Sequence, residues 1–180
     1  MPQKRSAERM IISGADPGKS GAIVVVDSVA KMGMFCKLKY NKMGLLEADK
    51  PQAMLDAMPP QRIYLEKVNI NKGIKWSISS AYAFGAAYGQ LKYFVANTSY
   101  PFANITPAQW QEFCHQGIDK KLKPKERSMV AYNSLYPHKP IPVGRTGKTH
   151  DGVIDALLIV TAAFHSLGVL PDQWTIEEWK

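Results

Sequence analysis

The chain has 180 residues, 46% of them hydrophobic and 21% charged, which suits one globular domain with a well-buried core. Its 23 Lys and Arg against 15 Asp and Glu give +8 at neutral pH, an excess that points to a polyanionic partner, most commonly nucleic acid. Two cysteines, Cys36 and Cys114, exclude a disulfide scaffold and a cysteine-based zinc site, and no stretch reaches the ~18 uninterrupted apolar residues of a membrane span.

The chain starts on the basic segment MPQKRSAERM, and the apolar run behind it is too short for a signal peptide, so a cytoplasmic setting is expected. No repeat or linker divides the sequence, which reads as a single domain over 1–180 with a loose basic tail at about 1–9. Met10–Ala15 and Ala22–Asp27 read as strands joined by the turn DPGKSG, and Gly33–Leu38 as a third. Pro51–Met58 reads as a short helix ended by Pro59-Pro60, and Arg62–Glu66 as a strand. After a polar loop over Lys67–Lys75, the stretch Ser77–Ala96 is helical and rich in small residues. Its aromatics Tyr82, Phe84, Tyr88 and Phe94 are expected mostly in the core, with an interface between chains as the alternative for some, which helical periodicity does not separate. Phe102–Ile105 is a strand, and Thr106-Pro107 opens a helix with Thr as N-cap and Pro in the first turn. Lys125–Leu135 and Thr149–Ser166 are further helices. The order predicts an α/β domain, a mixed sheet of three antiparallel strands with βαβ additions, flanked by helices on both faces.

Four acids stand where apolar segments ought to exclude them. Asp16 ends the run MIISGA, Glu66 ends RIYL, and Asp155 interrupts GVIDALLIVTAAF, with Asp151 one helical turn before it. A carboxylate in apolar surroundings is costly unless paired, protonated or bound to metal, and several together repel one another. Asp151 and Asp155 are i and i+4 and share a helix face. His150 lies well off that face from Asp155, so Asp151 is the better ligand, although capping of the helix is its competing role. An all-carboxylate set selects Mg²⁺ or Mn²⁺. Two such ions ~4 Å apart can activate a water and stabilise the leaving oxygen of a phosphodiester. Each acid alone could equally be a cap or an ion-pair partner; all four together are harder to explain so.

The segments GADPGKSGAIVVVD, IYLEKV and HDGVIDALLI resemble the three acidic motifs of the RuvC family of Holliday junction resolvases. ITPAQWQ and Lys125-x-x-Ser128 are most similar to its bacteriophage branch. The resemblance runs from Ile11 to Phe164. It implies an RNase H-like fold and a homodimer that nicks four-way DNA junctions in pairs with Mg²⁺ or Mn²⁺. Under it Asp16, Glu66, Asp151 and Asp155 hold the metals, and Lys125, with Lys123 as the alternative, lies near the scissile phosphate. Two departures stand out. The last two acids are spaced Asp151-x-x-x-Asp155, where cellular members often have D-x-x-D, which leaves His150 or Asp151 to complete the site. The aromatic that often follows the Glu is missing from KVNINKGIKW unless Trp76 replaces it.

Lys67, Asn69, Lys72, Lys75 and Trp76 suit phosphate contacts and base stacking, as Lys121, Lys123, Arg145 and Lys148 suit phosphate tracking; a solvated loop and a solvated face are the plain alternatives. Gly18-Lys19-Ser20 matches the end of a P-loop, but Ser13 stands where its first glycine belongs and a strand follows instead of a helix. No nucleotide cofactor is therefore expected. One Asp-Gly hairpin also falls short of the two phosphate loops of actin-like and sugar-kinase folds. A branched-DNA binding module without catalysis, and a nuclease for RNA–DNA hybrids, are the other readings.

Overall fold

Alternation along the strands decides the architecture. In β2 (Ala22–Asp27), Ala22, Val24 and Val26 join one apolar cluster, while Ile23 and Val25 join another on the opposite face. A strand buried on both faces must sit inside a layered domain. The computed structural model describes residues 8–18, 20–67, 77–137, 150–169 and 174–179. Strands β1 (Ile11–Asp16), β2 and β3 (Met32–Lys37) pair antiparallel. Strand β4 (Arg62–Glu66) lies parallel to β1, and β5 (Phe102–Ile105) parallel to β4. A strand absent from the sequence reading, β6 (Thr175–Glu178), pairs parallel with β3 and completes the order β5-β4-β1-β2-β3-β6.

Helices α1 (Asp49–Ala57) and α2 (Ile78–Asn97) cover one face, where Met54, Leu55, Leu91 and Val95 meet Ile63 and Leu65. Helices α3 (Pro107–Cys114), α4 (Pro124–Leu135) and α5 (Asp151–Ser166) cover the other. The α5 side chains Leu157, Leu158, Ile159 and Phe164 are almost wholly buried, and each such burial contributes about 1.5–3 kcal/mol.

Helix α2 departs from expectation. Ala87, Leu91 and Val95 are its buried residues, and Tyr82 is 79% exposed instead of belonging to the core. The buried residues of this twenty-residue helix recur every four positions, so one stripe meets the core and the rest is partly or fully exposed.

Candidate active site

Strand parity brings two of the acids together. Asp16 lies on the same face of β1 as Ile12, and Glu66 on the same face of β4 as Tyr64, the face covered by α5. Parallel pairing of β1 with β4 puts both strand ends at one rim. The first turn of α5 packs against the β1–β2 turn there. A Cβ on Gly152 would meet the backbone of Ser20 and Gly21, so only glycine permits this approach.

The four acids feel one another strongly. Asp16 is pushed well above the usual carboxylate range, first by burial and then by the charges of Asp155 and Glu66, with Asp151 adding to them. A hydrogen bond with Glu66 adds to the rise of Asp16. Burial raises Glu66 too, opposed by its hydrogen bonds to Trp110 and Asp16. Asp155 is pushed up to about 6, by burial first; Ser128 opposes the shift, Glu66 and Asp151 add to it, and Lys125 again opposes. Its Oδ1 is buried without a hydrogen-bond partner. Asp16 and Asp155 are both half-buried.

Asp151 is the first residue of α5, and its N-cap is His150, which makes no side-chain capping bond. Capping is therefore not what Asp151 does. Its Oδ2 accepts from Lys125 Nζ at 2.5 Å, an ion pair that raises the lysine through that hydrogen bond. The imidazole of His150 is lowered first by burial and then by Lys37, against which Glu178 and Asp151 act; Lys37 pairs with Glu178 at 3.2 Å.

As the side chains stand, among the described residues no group of three or more His, Cys, Asp or Glu is arranged to hold a metal ion. Glu66 is turned to Trp110 and Asp151 to Lys125. The donor set nonetheless fits a hard cation: four carboxylates near one rim, Asp155 with an orphaned buried oxygen and Asp16 raised by burial and by its neighbours' charge. A cation there would relieve each of these defects.

Lys67, Lys121, Lys123 and Lys125 are exposed; Lys67 directly follows Glu66, while Lys121 and Lys123 precede α4. Asn69, Lys72, Lys75, Trp76, Arg145 and Lys148 lie outside the described residues. Three contributors have no role assigned from the sequence, although Trp110 lies in ITPAQWQ and Ser128 closes Lys125-x-x-Ser128. Trp110 donates its indole N–H to Glu66 Oε1 at 2.9 Å. Ser128, on the α4 face adjoining Lys125, acts on Asp155. Tyr40 donates to the Gly18 carbonyl at 3.4 Å, and its phenol is raised by burial and by the charge of Asp16.

Neither a protein-family model nor a curated protein sequence matches the chain. Among solved structures it is similar to Thermus thermophilus RuvC in complex with a Holliday junction substrate, with TM-score 0.54 and 16% identity over 88% of this chain and 96% of that one. A second Thermus thermophilus RuvC structure gives TM-score 0.50 and 16% identity over 89% and 98% of the two chains. The yeast mitochondrial Holliday junction resolvase gives 0.48 and 13%, over 84% of this chain and 76% of that one. The Thermus likenesses establish the fold, an RNase H-like α/β domain.

Proposed function

We propose that the chain is a metal-dependent endonuclease that resolves four-way DNA junctions as a homodimer, in the manner of the bacteriophage branch of the RuvC family. The observation that carries this reading is the gathering of Asp16, Glu66, Asp151 and Asp155 at one sheet rim, where burial first and then the charges of its neighbours raise Asp16 well above its ordinary range. A protein that only binds phosphate gains nothing from such a cluster, since carboxylates repel phosphate. A metal-dependent hydrolase requires it. That Thermus thermophilus RuvC was solved with a Holliday junction supports the four-way junction as the substrate to test first.

Asp16, Glu66, Asp151 and Asp155 would hold Mg²⁺ or Mn²⁺, two ions in this reading. When bound, these supply activation of a water and stabilisation of the leaving oxygen. The chain's own groups do the remaining work. Ser128 and Trp110 orient Asp155 and Glu66. Lys125, anchored on Asp151 and three-quarters exposed, offers its ammonium to an incoming phosphate. The exposed Lys67, Lys121 and Lys123 extend a positive surface from the site, and Asn69, Lys72, Lys75, Trp76, Arg145 and Lys148 belong to the same proposed DNA contact.

Helix α2 supports the pairing of two chains. Its residues Ile78, Tyr82 and Tyr93 are exposed, and Lys92 is its one charge in a chain of net +8. A largely apolar face on a basic protein suits a second copy of itself better than a polyanion.

The reading is tested by nicking of a labelled four-way junction beside linear duplex, Y-fork and RNA–DNA hybrid, with Mg²⁺ or Mn²⁺. Symmetric nicks confined to the four-way junction are expected. Cutting of forks would widen the activity to debranching, and preference for the hybrid would replace the substrate altogether.

A further inference from the structure

Glu66 is held by a residue that no acidic motif contains. Its Oε1 accepts from the indole Nε1 of Trp110 at 2.9 Å, and Trp110 is only 2% exposed. The indole has little freedom to turn. Helix α3 is fixed at its start by reciprocal bonds between Thr106 and Gln109: the Thr106 N–H donates to Gln109 Oε1 at 2.8 Å, and the Gln109 N–H to Thr106 Oγ1 at 3.3 Å. At its end Cys114 Sγ donates to the Leu158 carbonyl of α5 at 3.4 Å. His115 packs edge-on against the Trp110 ring, with centroids 5.4 Å apart. The register of the sheet sets the distance, since Glu66 lies opposite Ile105 and α3 begins two residues later.

From this geometry we infer that Trp110 is a positioning residue for Glu66. Its N–H takes one carboxylate oxygen in a fixed direction, which sets how the carboxylate presents itself to Asp16 and to a cation. Indole is a donor with no acceptor, so the contact has one polarity only. Partners of this kind, behind a metal-ligating carboxylate, set metal affinity by about 10–100-fold. The inference rests on the proposed metal-dependent site.

The test is Mn²⁺ binding by titration calorimetry to the full chain, Trp110→Phe, Glu66→Gln and the double variant, together with the indole N–H resonance of Trp110. Phenylalanine keeps a large apolar ring and removes the donor. Trp110→Phe is expected to weaken Mn²⁺ about 10–100-fold. In the Glu66→Gln background it should weaken binding no further, and Glu66→Gln should shift the Trp110 resonance. Unchanged Mn²⁺ affinity in Trp110→Phe, or an equal loss with and without Glu66, would assign Trp110 to packing alone. An unmoved indole resonance in Glu66→Gln would overturn the contact itself, even if Trp110→Phe does not fold. Absence of Mn²⁺ binding by the unaltered chain would remove the metal-dependent reading, and the positioning role with it, while the resonance still reports whether the contact exists.

Discussion

Gly152 is where helix α5 touches Asp16: a Cβ there would lie 2.9 Å from Asp16 Oδ2 and 2.1 Å from the Ser20 carbonyl. The carboxylates of α5 reach those of the strands because this residue has no side chain. Gly152→Ala must push α5 away from the β1–β2 turn, and overpacking of this kind costs about 1–3 kcal/mol. We expect a lower unfolding midpoint and a loss of nicking larger than the stability loss explains. Thermal melts beside single-turnover nicking separate the two effects.

The acid cluster makes an unusual prediction for the metal-free protein. Asp16, Glu66 and Asp155 are all raised in the fold, Asp155 to about 6. A carboxyl raised on folding contributes stability that is full below its unfolded value, near 4, and is lost as pH rises through its folded value. Keeping Asp155 ionised at pH 7.5 alone costs on the order of 3 kcal/mol. The melting temperature in EDTA should therefore rise from pH 7.5 to pH 5. Asp16→Asn should raise it at pH 7.5 and flatten the slope. Mn²⁺ should stabilise the unaltered chain most at the higher pH.

Lys125 occupies Asp151, which in the proposed site would also bind a cation. The pair is exposed enough that its contribution to stability is about 0–1 kcal/mol. Lys125→Met should leave the melting temperature nearly unchanged and tighten Mn²⁺ binding, because the site loses its own positive charge. Nicking should nonetheless slow, since the phosphate loses its ammonium partner. Titration calorimetry and nicking rates on one preparation check both halves of this split.

The sites legible in the sequence are those set by local pattern. Asp16 and Glu66 each end an apolar run, and Asp151 and Asp155 share a helix face, so their elements and rim follow from alternation and helical spacing. What stayed hidden depends on long-range register. Trp110 meets Glu66 only because β4 and β5 pair in one frame, which no spacing along the chain reveals. Strand β6 is four residues long and ends on two glutamates, too short and polar for a periodic signal; the exposed edge of β3 recruits it. Tyr82 reads as core because it is an aromatic in a helix with a single charge, whereas the buried stripe of that helix is Ala87, Leu91 and Val95.

Exposure of Tyr82 and Tyr93 makes the pairing of chains testable. Tyr82→Glu puts a charge on the apolar face of α2 and should shift sedimentation from dimer to monomer at micromolar concentration. Far-UV circular dichroism should not change, because the side chain is 79% exposed in the single chain. A dimer that persists would move the interface elsewhere.

The central claim is that the acids clustered around Asp16 cut DNA. Its most direct measurement is nicking of a synthetic four-way junction in Mn²⁺ by the unaltered chain and by Asp16→Asn, with junction binding followed in parallel. Paired nicks are expected from the former, none from the latter, and comparable binding by both. Nicking by folded Asp16→Asn at the unaltered rate would contradict the claim.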